Sequence, residues 1–440
     1  MIIDYEEKKQ EAFDWIEMLS KIPHGLEMLY MHIAVQDGDE RYSEEEFMTR
    51  FYCKQFENYV DLDTIRGCLF GGAIGDALGF TVEFLDDEQI FKRYGENGIT
   101  EPQVYNGVAH ISDDTQMTLF TAEGLLRASQ RYEKPTVNDY VQSVYESYLD
   151  WLYTQDGDET QDENRPRGEL VKDKRLHNRR APGETCLNSL RSGCCGTFTK
   201  KLNDSKGCGG VMRVAPVALY LAQMEDMNEQ TIARTGARVA AITHSHELGY
   251  IPASFLTALL WNILKGYDLD FSYRQARRVV ENAFLDSEEA EKCIRLADHA
   301  VRLAKQAKKA YQTLCEKAKI TEAEPDEEKM DELYALYEIE EVDDLDAIRE
   351  LGQGWVAEET LAIALYCAFR YEDDFEKGII AAANHSGDSD STAAVTGNIL
   401  GAYLGVSAIP EKWIRSLELN DVILQLAEAL HVHKLSIEEK

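Results

Sequence analysis

Two short acidic segments carry the residue types best suited to chemistry in this chain: Ser112-Asp113-Asp114-Thr115 and Gly387-Asp388-Ser389-Asp390-Ser391-Thr392. They lie about 275 residues apart, and each opens an apolar, Ala/Gly-rich run with helical spacing. Two carboxylates about 4 Å apart repel by roughly 4 kcal/mol at an effective dielectric near 20. That is a large share of a typical stability of about 5–15 kcal/mol. If the segments meet in space, one or two bound divalent cations would resolve the repulsion. Ser112, Asp113, Asp114, Asp388, Asp390 and Ser391 supply hard oxygen donors, the kind that suit Mg²⁺ or Mn²⁺.

Simpler readings compete. Asp and Ser at a helix start often only cap it, and for one segment alone a cap is the simpler account. Two segments, both richer in oxygen than a cap requires, favour a metal. An EF-hand fails on spacing, because Ala393 stands where glycine is needed and Ile399 where a bidentate acid is needed. Zinc lacks a Cys/His cluster of ligand spacing; His244-Ser245-His246 is only an i, i+2 pair at an expected helix end. No GxSxG elbow is present, and His385 beside Ser386 makes no triad. Cys194, Cys195 and Cys208 read better as small buried residues than as reactive thiols.

The elements that must position these segments announce themselves by glycine. Gly71, Gly75 and Gly79 recur at i, i+4 and i+8, and Gly397, Gly401 and Gly405 do the same. On a helix this spacing makes a stripe without side chains. Interior glycines cost about 0.5–1 kcal/mol each relative to Ala, so a close backbone approach should compensate. The expectation is that the two ridges let core helices approach each other, or a third helix, near the acidic segments. Glu83 lies just past the first ridge, while the 387–392 segment precedes the second. A dinucleotide fingerprint fails, since no GxGxxG follows a strand pattern. A membrane dimer motif fails too, because Asp76 interrupts a short apolar run.

Around these ridges the chain keeps helical period almost to its end, as in 231–242, 252–265, 272–283, 288–317, 355–370 and 375–383. Alternating strands are scarce, and Asn106-Gly107 has no evident strand pair around it. The body over 63–435 therefore reads as mostly α, long enough for two or three average domains or one large one, and an acidic helical extension over 1–62 precedes it. Two polar insertions interrupt the domain, near 154–182 and 321–350. The first reads as a long surface loop. The second holds fourteen acids against two bases and reads as a solvated insertion with some helix.

Composition narrows the partners. Hydrophobic residues make up 44% of 440, ample for a large core. A formal charge of -34 repels phosphates and argues against nucleic acid. It suits a small substrate drawn to metals, a basic protein partner, or solubility alone. Nine cysteines without a regular framework suggest reduced thiols and a cytoplasmic setting. No leader pattern and no apolar stretch of membrane length are evident.

Taken together these residues resemble the ADP-ribosylglycohydrolase family. The resemblance rests on seven segments in order: 67–84, 111–126, 179–187, 207–219, 243–250, 354–365 and 384–405. It implies an all-α fold, a single compact, orthogonal multi-helix domain over 63–435, with a binuclear Mg²⁺ or Mn²⁺ centre in a cleft. By resemblance, Ser112, Asp113, Asp114, Asp388, Asp390 and Ser391 match the metal-ligand positions, and Glu83 the acidic residue at that centre. Gly207, Cys208, Gly209, Gly210 and His244 match positions lining an ADP-ribose cleft, where glycines let backbone N–H groups approach a diphosphate. The family usually has threonine where Ser112 and Ser391 stand; serine keeps the hydroxyl and loses the stiffening β-methyl.

The implied reaction is hydrolysis of the bond from ribose C1″ of ADP-ribose to a protein side chain. Positive character builds at the anomeric carbon, as in glycoside hydrolysis. Glu83 is the first candidate for proton transfer, with Asp113 or Asp114 second. Arginine is the expected attachment by similarity to the bacterial branch, with serine- and base-linked ADP-ribose as alternatives. Residues 1–60 suggest either a packing element or an arm that blocks a cognate ADP-ribosyltransferase toxin, which would make the chain an immunity protein. A regulatory hydrolase without such a partner, or a relative that only binds ADP-ribose, are the other readings.

Overall fold

Asp61 caps the first helix, α1 (Leu62–Gly79), by accepting from the Asp63 N–H at 3.0 Å. This helix is apolar around its whole circumference and is buried over nearly all its length, as such a helix must be. The computed structural model describes residues 60–157, 167–322 and 342–438. The expected extension over 1–62 therefore lies almost wholly outside the described residues, as does 323–341.

After α1 come α2 (Asp87–Tyr94), β1 (Val104–Tyr105), β2 (Val108–Ala109), α3 (Asp113–Arg131), α4 (Val137–Asp156), α5 (Glu184–Arg191) and α6 (Ala215–Leu221). The chain continues through α7 (Glu229–Ala241), α8 (Glu247–Leu264), α9 (Leu269–Ala283), α10 (Glu288–Glu322) and α11 (Asp344–Leu351). It ends with α12 (Ala357–Arg370), α13 (Phe375–Ala383), α14 (Ser389–Leu404), α15 (Glu411–Ser416) and α16 (Asn420–Glu438). Apart from one short hairpin the described residues are all-α and pack around one hydrophobic core, as the periodicity leads one to expect.

The glycine ridges meet each other. Along α1 and α14, Gly67 faces Gly401 and Gly71 faces Gly397, while Gly75 and Gly79 face the backbone of Ala393 and Ser389. Each four-residue step forward on α1 matches one backward on α14, so the helices run antiparallel in backbone contact. A Cβ at Gly71 or Gly397 would strike the other's carbonyl oxygen. One member differs from the sequence expectation. Gly405 lies just past the end of α14 at φ +79°, and the ridge on α1 extends back to Gly67, whose Cβ would strike the backbone of both Gly401 and Gly405.

Helix α8 is long and apolar enough to cross a membrane by length and composition, yet 89% of it is buried inside the protein. It packs against α7, α9 and α12 as the central core helix. It also starts earlier than the periodicity suggests, with Pro252 inside it, because His246 caps it by accepting from the Leu248 N–H at 3.1 Å.

Three other expectations need correction. Asn106-Gly107 does turn a hairpin, with φ of 53° and 88° and Val104 paired to Ala109. Its strands are two residues each, too short to show alternation. The 154–182 stretch is not simply surface loop. Leu170, Val171 and Leu176 are buried. Buried Glu123 accepts from the Glu169 and Leu170 N–H groups at 2.6 and 2.8 Å, and Asp150 from Gly168 N–H at 2.9 Å. The pull comes from carboxylates on α3 and α4, which the loop's own composition cannot reveal. The tail of the 321–350 stretch likewise packs on the core through Ala347, Ile348 and Leu351 of α11.

Candidate metal centre and active site

The antiparallel α1·α14 contact delivers three acidic positions to one place. The last turn of α1 abuts the first turn of α14, so Glu83 just beyond α1 reaches the 387–392 segment. One ligand atom each from Glu83, Asp388 and Asp390 lies within 4.8 Å of the others, and all three residues are buried. The N-terminus of α3 closes the group from the other side: Ser391 Oγ donates to Asp114 Oδ2 at 2.8 Å. Gly387 permits the approach of the 387–392 segment. It sits at φ +146°, and a side chain there would collide with the Gln353 carbonyl.

Asp76 belongs to the same buried cluster and is absent from the candidate site residues singled out in the sequence. Fully buried in α1, it accepts from the Ser112 N–H at 2.9 and 3.0 Å and from the Thr115 N–H at 3.1 Å. It also accepts from the Thr115 hydroxyl. It thereby fixes the start of α3 at its first turn. A signal for it does exist: a lone carboxylate in a helix apolar on all faces must have partners.

Capping and metal-type arrangements divide the two segments. Ser112 does cap α3, its Oγ accepting from Asp114 N–H at 3.2 Å. Asp113 is held by the neighbouring 179–183 segment: its N–H donates to the Arg180 carbonyl at 3.0 Å, and its Oδ2 accepts from Gly183 N–H at 3.2 Å. Asp388 precedes α14 without capping it. Its Oδ2 and Glu83 Oε2 are buried with no hydrogen-bond partner among the described residues.

Asp76, Glu83, Asp113, Asp114, Asp388 and Asp390 are all buried, and among the described residues none of these six forms an ion pair. Burial first, and Asp390 second, pushes Asp76 up to about 7 and Glu83 up to about 10. The same two causes hold Asp113, Asp114 and Asp388 well above the usual carboxylate range. Asp390 is raised by its own burial. Orphaned carboxylate oxygens in an all-oxygen cluster fit a hard divalent cation, which would supply the missing charge. Glu83, Asp113, Asp114, Asp388, Asp390, Ser112 and Ser391 are the residues present to hold it.

The glycine loop lies beside this cluster. Cys208 touches Asp388 and Ser391 through its thiol, which burial and Asp388 push well up. On the other side, His244 faces the loop: a Cβ on Gly207 would sit 3.5 Å from His244 Nε2, and one on Gly209 2.9 Å from Cε1. Gly210 packs on the Gly249 backbone. Two of the loop's N–H groups are already committed, Gly207 to Ser205 Oγ at 3.3 Å and Cys208 to the Trp355 carbonyl at 3.3 Å. The N–H groups of Gly209 and Gly210 are the ones left in the loop for an anionic ligand.

His244 is buried, with Nδ1 2.9 Å from Thr243 Oγ1, which accepts from Arg213 Nη2 at 2.6 Å. Burial and the Arg213 charge bring its pKa down to about 3, so the ring is neutral at physiological pH. Arg213 is itself fully buried, with Cζ 4.4 Å from the Tyr148 ring centroid. His246 stands apart as the α8 cap, so the His244–His246 pair forms no ligand set.

A cluster of buried carboxylates on converging helix termini, beside a glycine loop and a neutral histidine, defines an all-helical protein with a site of the kind that suits a hard cation. The chain belongs to the ADP-ribosylglycohydrolase family, whose profile matches residues 58–438. Mouse ADP-ribosylhydrolase ARH3 is 24% identical over 386 residues, covering 84% of this chain and 91% of the mouse protein. ADP-ribosyl-[dinitrogen reductase] glycohydrolase of Rhodospirillum rubrum is 23% identical, covering 81% and 91%. ADP-ribosylarginine hydrolase Tri1 of Serratia proteamaculans is 24% identical, covering 89% and 85%. Membership makes the chain an ADP-ribosyl hydrolase, an enzyme that removes ADP-ribose by hydrolysis.

Proposed function

We propose that the enzyme cleaves the N-glycosidic bond between C1″ of ADP-ribose and an arginine guanidinium on a modified protein. Two Mg²⁺ or Mn²⁺ ions would be held by Ser112, Asp113, Asp114, Asp388, Asp390 and Ser391, with Glu83 beside them. The buried convergence of these carboxylates, two of them with orphan oxygens, carries this reading. When bound, the ions offset the pooled charge and raise the acidity of water in the cleft.

Within that frame Glu83 is assigned to proton transfer, because it stands outside the six residues given to the ions and no described residue hydrogen-bonds its Oε2. Asp113 is fastened by Gly183, and Asp114 accepts from Ser391, so both serve better as fixed negative charge facing the positive character at C1″. The 207–210 loop and neutral His244 form the wall for ADP-ribose. Arginine is favoured because a chain charge of -34 suits a cationic side chain on the substrate, and because one relative that resembles this chain carries the name ADP-ribosylarginine hydrolase.

The test is release of ADP-ribose from arginine-linked and serine-linked peptides by the Mg²⁺-loaded enzyme. Asp113→Ala and Asp390→Ala should abolish release while the far-UV spectrum is kept. Full activity in either variant, or a wild type that cleaves only the serine linkage, overturns the reading.

A second role, blocking a cognate ADP-ribosyltransferase toxin, rests on the acidic composition of residues 1–62 and the chain charge of -34. Such an immunity protein would act in the cytoplasm, where the toxin's targets lie. Deleting 1–60 in an Asp390→Ala background separates the roles: protection that survives the deletion ends the blocking idea.

A further inference from the structure

Two large aromatic side chains stand exposed beside the acid cluster, Phe84 at 71% and Trp355 at 41% of full exposure. Their rings face each other at 6.3 Å between centroids and 23° between planes. Both are tied to the site by their backbones. Phe84 follows Glu83 directly, on a turn fastened by Phe80 N–H to the Asp76 carbonyl and Val82 N–H to the Gly79 carbonyl, each at 2.8 Å. Trp355 accepts from Cys208 N–H through its carbonyl. Its neighbour Gly354, at φ +83°, packs so closely that a Cβ there would lie 3.4 Å from the Asp388 Cβ. Glu359 holds this strap by accepting from Gln353 and Gly354 N–H at 3.0 and 3.2 Å.

We propose that Phe84 and Trp355 form a two-sided aromatic slot that takes the arginine guanidinium of the substrate, which deepens and rests on the arginine reading above. Two rings sandwiching a planar group need about 7 Å between them, twice the van der Waals separation of carbon atoms. The two centroids stand 6.3 Å apart with the planes 23° from parallel, and Phe84 is 71% exposed, so a slot of that width needs only a side-chain adjustment at the surface. A guanidinium is planar and cationic. Aromatic faces attract it, and its flat shape matches two facing rings. Adenine is planar too, but it lies at the far end of ADP-ribose from C1″. Phe84 adjoins Glu83, the group assigned to proton transfer at the scissile bond, so the atoms within its reach belong to the leaving group.

The slot is tested with Phe84→Ala and Trp355→Ala, their conservative partners Phe84→Tyr and Trp355→Phe, and the Mg²⁺-loaded full chain. One measurement is kcat/KM on an ADP-ribosylated arginine peptide; the other is Kd for free ADP-ribose by calorimetry. The alanine variants should lose roughly 5- to 30-fold in kcat/KM, the size of a partly desolvated cation–π contact. Their ADP-ribose affinity should stay within about twofold of wild type, since the product lacks the guanidinium. The conservative variants should recover most of the loss. Unchanged kcat/KM in both alanine variants overturns the slot and leaves the arginine reading standing. An equal loss of ADP-ribose affinity also overturns it, because the rings would then hold the nucleotide. A wild type inactive on the arginine peptide ends the parent reading, and the slot with it.

Discussion

The hydroxyl of Ser391 donates to Asp114 Oδ2 at 2.8 Å, joining two acidic segments that stand 277 residues apart in sequence. The bond orients one carboxylate of the α3 terminus against the α14 terminus. Ser391→Ala should weaken Mn²⁺ or Mg²⁺ binding about 10- to 100-fold, the usual cost of losing a group that orients a ligand. Ser391→Thr keeps the hydroxyl and should stay close to wild type. Titration calorimetry decides it, and equal affinity in the alanine variant would remove Ser391 from the site.

Asp76 acts one step further out. Its carboxylate collects the Ser112 and Thr115 N–H groups, and an amide in its place would turn an NH₂ toward a donor. Asp76→Asn should therefore lower kcat/KM at least about tenfold and loosen the metal, with secondary structure unchanged by circular dichroism. Wild-type metal affinity in this variant would show that the start of α3 is positioned without it.

The raised carboxylates also predict a pH dependence. A carboxyl whose pKa is higher folded than unfolded keeps a proton that the unfolded chain releases, so stability falls as pH rises across that window. For Asp76 the window runs from the ordinary carboxylate value up to about 7, and for Glu83 up to about 10. In EDTA the melting temperature should drop by several degrees between pH 5 and pH 8. Excess Mg²⁺ should raise it more at pH 8 than at pH 5, because the cation binds the deprotonated form. A metal-free protein that melts higher at pH 8 contradicts the buried cluster.

Gly397→Ala tests the helix contact that assembles the site. The new methyl would meet the Gly71 carbonyl, a backbone atom that cannot swing aside. Overpacking of this kind costs about 1–3 kcal/mol and should separate α1 from α14. Denaturant melts should show the loss, and metal affinity should fall with it. A variant as stable as wild type would mean that the helices can part without consequence.

Several features are legible in the amino-acid sequence alone. The two oxygen-rich segments, the glycine stripes and the helical period of the body are local patterns, set by residue type and by spacings of three and four. They carry the all-α fold and the candidate residues, since a stripe of glycines has little use except backbone approach. Other features are not legible there. Asn106-Gly107 gives no hairpin signal because two-residue strands leave no alternation to read. The 154–182 stretch reads as loop because its anchors, Glu123 and Asp150, sit on helices elsewhere. Asp76 stands out only as an interruption, since nothing in its own neighbourhood names Ser112 and Thr115 as partners.

By itself, then, the order of residues determined which groups are able to do chemistry and which helices are able to touch. Only the tertiary structure decided that Gly71 meets Gly397, that Glu83 therefore comes within ligand distance of Asp388 and Asp390, and that Phe84 faces Trp355 at the rim. The physical reason is that periodicity and composition act over a few residues, whereas the repulsion, burial and orphaned oxygens that define this site arise only when distant segments are packed together.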